Sequence, residues 1–178
     1  MKIAIIGYSG SGKSTLAQKL GEMYGLKLLH LDAVQFLPNW IERPAEEQKQ
    51  IMKAFLDTNA SWVIDGNYSK VCYERRMEEA DRIFLLLFNR FTCLYRVIRR
   101  YLKYKNTVRP DMTPGCEEKL DLEFIKWVLR DGRTRRAKKR YRGVIEAHPQ
   151  KAVVVKNQRQ LNAYLSAIPR PTGGANET

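Results

Sequence analysis

Cysteine and histidine are scarce in this chain: 178 residues include three Cys and two His. Cys72, Cys93 and Cys116 are odd in number and form no C-x-x-C pair, which argues against a disulfide framework and a zinc site. Buried or incidental thiols in a reducing cytoplasm are the expectation. His30 and His148 have no ligand-like spacing and are expected to be structural or exposed. No apolar run approaches the roughly 20 residues of a membrane span, the longest compact one being 83–88, so no membrane partner is expected. A strand is expected directly at the N-terminus, so no signal peptide is expected. Internal repeats are absent, and only the Pro-, Gly- and polar-rich tail 169–178 is of low complexity; it is expected to be mobile.

Acidic residues are also in deficit, 19 against 32 Lys+Arg, a net charge of +13. The imbalance is local. Residues 1–89 carry 11 charges of each sign, whereas 90–142 carry 17 cations against 6 anions. Such a block reads as a contact surface for something anionic: nucleotide phosphates, a phosphorylated acceptor, or nucleic acid.

What the chain does contain is decisive near its start. Gly7-Tyr8-Ser9-Gly10-Ser11-Gly12-Lys13-Ser14-Thr15 fits G-x-x-x-x-G-K-[ST] and follows the apolar run Ile3-Ala4-Ile5-Ile6. Glycines let several backbone N–H groups converge on one anion, and the following helix adds its positive end. Lys13 is placed to reach the β- and γ-phosphates, and Ser14 to ligate Mg²⁺. The motif predicts nucleoside triphosphate binding through Gly7, Ser9, Gly10, Ser11, Gly12, Lys13, Ser14 and Thr15.

Strand and helix patterns then alternate. Strands are expected at 3–6, 27–31, 62–64, 83–88 and 152–155; helices at 13 to about 23, 45–57, 71–80, 91–104, 120–129 and 158–168, with a further one carrying Arg133, Arg136 and Arg140 at i, i+3 and i+7. This predicts a three-layer α/β P-loop fold in one domain over 1–168, a five-stranded parallel sheet with helices on both faces. Ligands in such sheets bind at the strands' carboxyl ends, which here deliver the loop, Asp32, Asp65 and Lys156-Asn157. Helix 91–104 places Arg96, Arg99, Arg100 and Lys103 on one face. Two arginine-faced helices joined by the Pro- and Gly-containing stretch 107–115 suggest a lid closing over phosphates.

By this point the residues resemble the adenylate kinase-like branch of P-loop kinases, and more closely the bacterial proteins described as DNA topology modulation proteins. The resemblance rests on IGYSGSGKSTLAQKLG, LHLDAVQFLPNW, WVIDGNYS, FNRFTCLYRVIRRY, RPDM, EFIKWVLRDGRTR and KNQRQL, which together reach about residue 161. It implies ATP and Mg²⁺ as cofactors, an acceptor-binding insertion within 33–60 and an arginine-rich lid within 90–142. It also implies Asp65 near the magnesium, Arg96 and Arg100 as paired lid arginines, Arg133 and Arg136 as returning ones, and Asn157 beside the adenine. Asp32 is a candidate to accept the acceptor's proton, while Trp40, Arg43 and Tyr68 could line its pocket. The chain departs from adenylate kinases after Asp65-Gly66, where Asn67-Tyr68-Ser69 replaces Phe-Pro-Arg. Nor is Asn157-Gln158-Arg159 the guanine signature. The expected activity is phosphoryl transfer from ATP to a small acceptor. The alternative is a nucleic-acid-binding ATPase or regulator that uses the basic 90–142 segment.

Overall fold

A computed structural model describes residues 1–168. The predicted mobility of 169–178 lies outside the described residues. Five parallel strands form the central sheet: β1 (Lys2–Gly7), β2 (Lys27–His30), then, past a small hairpin, β5 (Trp62–Asp65), β6 (Arg82–Leu86) and β7 (Ala152–Val155). Their order is β2-β5-β1-β6-β7, so the first strand lies in the middle and the sheet is extended on either side of it. β1, β5 and β6 are near-continuous apolar runs because helices cover both their faces. Ile3, Ile5, Ile64, Ile83 and Leu85 have 1% exposure or less. Helix α1 (Lys13–Tyr24) buries Leu16, Ala17 and Leu20 against the sheet, as its 3.6-residue spacing predicts.

Between β2 and β5 the chain forms a short helix α2 (Leu31–Gln35), a two-stranded hairpin of β3 (Phe36–Leu37) and β4 (Ile41–Glu42), and helix α3 (Ala45–Thr58). The hairpin and α2 were not anticipated; β2 ends at His30 rather than continuing to 31. Helix α4 (Tyr73–Glu79) follows β5.

The basic segment supplies α5 (Arg90–Tyr104), α6 (Leu122–Leu129) and α7 (Arg135–Ala147), and α8 (Gln158–Ala167) follows β7. Asn89, Asp121, Thr134 and Asn157 cap α5, α6, α7 and α8, each accepting a bond from the backbone N–H three residues on. The Thr134 cap corrects one expectation: Arg133 lies in a 3₁₀ turn before α7, not on the same helix face as Arg136 and Arg140.

The loop between α5 and α6 is stitched to the hairpin region. Thr113 donates its hydroxyl to the carbonyls of Ala33 and Phe36, Trp40 donates its indole N–H to the Glu117 carbonyl, and the Asn39 N–H bonds the Gly115 carbonyl. Two segments about 80 residues apart in sequence thus form one wall.

Candidate functional site

One cleft of about 2290 Å³ runs along the carboxyl ends of the strands. Residues 9–15 of the phosphate loop line it, together with Asp32, Asp65, Arg96 and Arg100. The loop leaves β1 at Gly7, whose N–H and carbonyl are both held by the Asn67 side-chain amide, at 2.9 and 2.6 Å. Asn67, the first of the three residues after Asp65-Gly66, is therefore a backbone clamp on the phosphate loop. Gly10 has φ +76, and a Cβ there would meet the Cys93 carbonyl at 2.6 Å, so only glycine lets the loop rest on α5.

Lys13 donates to the Tyr8 carbonyl at 3.1 Å, which folds its ammonium over the loop. Burial pulls its pKa down, partly offset by the nearby Asp32 and Asp65 carboxylates. Ser14 donates its hydroxyl to Asp65 at 2.9 Å, and the other Asp65 oxygen lies 2.5 Å from His30 Nδ1. The expectation for His30 missed this partnership. Parallel pairing of β2 with β5 sets His30 opposite Asp65, so the two meet by register. Burial of His30 disfavours its cation, but the Asp65 hydrogen bond and charge, with Asp111 and Asp32, outweigh it and hold its pKa above the ordinary value.

A hydroxyl and a carboxylate 2.9 Å apart, at the end of a phosphate loop, fit Mg²⁺. That ion takes one or two protein oxygens and completes its octahedron with phosphate and water. No cluster of three His, Cys, Asp or Glu suited to a metal exists among the described residues, so the protein alone does not offer a full cage.

The four cations predicted to share a face of α5 do so: Arg96, Arg99, Arg100 and Lys103 all line the cleft. Arg96 donates to the Ser11 carbonyl at 2.7 Å and to Gln158 at 2.7 Å, with its guanidinium over the Phe88 ring. Arg100 is bound through Nε and Nη2 to one oxygen of Glu118, at 2.8 and 2.7 Å. The other Glu118 oxygen lies 2.5 Å from Arg109 Nε, a charge contact without linear hydrogen-bond geometry, and Arg109 also meets Asp111 at 3.0 Å. Glu118 is thus buried between two arginines, one of which, Arg109, sequence reading did not single out for the site. Opposite them, Tyr68 donates its hydroxyl to Asp32 at 2.7 Å.

Four predicted residues are not brought into this lining: Gly7, which lies behind the loop under the Asn67 clamp, and Arg133, Arg136 and Asn157. Arg133 is half-buried, donates to the Val128 and Phe88 carbonyls and stacks 3.8 Å over the Tyr8 ring, bracing the loop from behind. Arg136 is exposed on the outside of α7, and Arg140 takes its place at the cleft. Asn157 caps α8, leaving Gln158 at the cleft wall. Conversely, Trp127 of α6 reaches the loop and donates to the Ser9 hydroxyl at 3.1 Å.

No protein-family model and no curated protein matches the chain by sequence. Solved structures do match by fold. Shikimate kinase from Acinetobacter baumannii, in complex with shikimate, superposes with TM-score 0.54 at 17% identity, covering 93% of each chain. Protein TT1252 from Thermus thermophilus gives TM-score 0.50 at 15% identity, over 95% of this chain and 98% of that one. At such identities the likeness is one of architecture, and the architecture of this chain is the three-layer α/β fold of P-loop kinases.

Proposed function

We propose that the protein transfers the γ-phosphoryl group of ATP to the hydroxyl of a small acceptor. The observation that carries this reading is the convergence of Lys13, the Ser14–Asp65 pair, Asp32 and the α5 arginines on one cleft. Phosphoryl transfer needs positioning and charge neutralisation more than covalent help. The loop N–H groups and Lys13 would hold the β- and γ-phosphates. Magnesium would sit at Ser14 and Asp65, where it would neutralise phosphate charge. Arg96, Arg100 and Arg140 would face the same phosphates from the lid, within 90–142, and help exclude water. The acceptor would enter beside the 33–60 insertion. Its oxygen attacks the γ-phosphorus, the bond to the β–γ bridging oxygen breaks, and the hydroxyl proton passes to Asp32. Tyr68 occupies one Asp32 oxygen and leaves the other for that proton.

A second reading rests on a different surface. Arg135, Arg136, Lys138, Lys139 and Arg142 are all exposed on α7, away from the cleft, and none is in an ion pair among the described residues. That stripe supports a nucleic-acid contact through phosphate neutralisation. ADP release measured with an acceptor panel and with duplex DNA separates the two. The kinase reading expects acceptor-dependent release that Lys13→Ala lowers about a hundredfold. Release indifferent to every acceptor and raised by DNA would replace it.

A further inference from the structure

We infer, resting on the kinase reading, that the acceptor bears a hydroxyl but no phosphate of its own. A phosphorylated acceptor needs free cations, above all a guanidinium that can present two N–H groups to one phosphate. At the acceptor end of the cleft each guanidinium is both paired and less exposed than the 27% of Arg100, which is also paired but was assigned above to the donor phosphates. Arg43 donates to the Val34 carbonyl at 2.9 Å and pairs with Glu47. Arg109 is 7% exposed and held between Glu118 and Asp111. Arg76, fully buried behind the Asp65-Gly66 turn, donates to the carbonyls of Val71, Gly66 and Tyr68.

Two carboxylates are also present there, Asp32 near Lys13 and Glu42 exposed at the rim. The hydrogen-bond partner of Asp32 is a neutral phenol, and Glu42 is in no ion pair among the described residues. Burial pushes the Tyr68 phenol up, and the Asp32, Asp65 and Glu42 carboxylates push it further, so Tyr68 stays a neutral donor to Asp32. Lys119 and Lys70 are present at the rim, but both are exposed, and the Lys119 ammonium lies 5.9 Å over the Trp40 ring. Solvated lysines of this kind hold a phosphate weakly. The wall itself is aromatic: Phe36 and Trp40 meet edge to face at 5.3 Å between centroids. This end suits an uncharged or amine-bearing hydroxyl compound with an apolar face, its hydroxyl directed to Asp32.

The test uses the wild-type chain saturated with Mg²⁺ and a non-hydrolysable ATP analogue. AMP, GMP, CMP, UMP and dTMP are titrated by calorimetry, and diadenosine pentaphosphate, which spans donor and acceptor-phosphate sites, is titrated separately onto the protein with Mg²⁺ alone. No monophosphate should saturate below about 1 mM, and the pentaphosphate should bind within about tenfold of ATP. A monophosphate saturating below that level, or a pentaphosphate gain of about a hundredfold or more, overturns the inference and leaves the kinase reading standing. If the ATP analogue binds Lys13→Ala as well as wild type, the kinase reading falls and takes this inference with it.

Discussion

Replacing Glu118 by Ala strips the charge partner from two guanidiniums at once. The Glu118 side chain is 2% exposed, against 7% for Arg109 and 27% for Arg100. Removing one member of a buried ion pair typically destabilises by about 3–5 kcal/mol, because the partner's charge is left unpaired in low dielectric. Asp111 still meets Arg109 at 3.0 Å, and Arg100 retains some solvent, so the lower end applies: about 3 kcal/mol. For a chain of this length that is a fall in Tm of about 6–12 °C. Thermal unfolding followed by circular dichroism without nucleotide measures it. Amide exchange should rise across 105–121, the loop that Glu118 ties to α5. Glu118→Gln keeps the shape and removes only the charge, so it should lose less. A Glu118→Ala protein within about 1 kcal/mol of wild type, with unchanged exchange in that loop, would refute the reasoning.

Four other outcomes follow from the geometry. Lys13→Ala should lower the rate of transfer on the order of a hundredfold, read as ADP release at saturating acceptor. Asp65→Asn should raise the Mg²⁺ concentration for half-maximal activity about 10–100-fold, because an amide is a poorer partner than a carboxylate for that ion and its waters; a magnesium titration checks it. Gly10→Ala, with its Cβ forced to within 2.7 Å of Val97 Cγ2, should destabilise more than Gly25→Ala, where nothing lies within 4 Å; urea midpoints compare the two left-handed positions. Burial, opposed by Arg140, pushes the Tyr141 phenol up from 10.0 to about 12. The folded state therefore keeps this proton after the unfolded chain has lost it. The contribution is fully present below pH 10 and is lost as pH rises to about 12, worth about 3 kcal/mol. Tyr141→Phe should show a shallower decline in urea stability across that window.

The parts of this molecule written in local spacing were legible, and the parts created by long-range pairing were not. The phosphate loop is contiguous, so Gly7 to Thr15 could be read directly. The cation face of α5 follows from 3.6-residue periodicity, and all four of its residues reach the cleft. His30 carries no such local signal. It meets Asp65 because β2 and β5 pair in a register that two short apolar runs do not specify on their own. The Asn67 clamp on Gly7 spans 60 residues, and the Glu118 bridge needs the α5–α6 loop to fold back on α5. Arg133 was misread for a local reason. A helix pattern extended through Thr134 ignores that threonine's aptitude for capping, and the true helix starts one residue later. The hairpin at 36–42 was hidden by its two-residue strands, too short for alternation to show.

The central claim is that the γ-phosphoryl group ends on an organic hydroxyl. It is tested most directly with ATP labelled in that group, incubated with Mg²⁺, the protein and a panel of phosphate-free hydroxyl compounds. The account predicts label in a new organic phosphate, formed about a hundredfold more slowly with Lys13→Ala. Label found solely in inorganic phosphate, at a rate raised by DNA and by no acceptor, would contradict it.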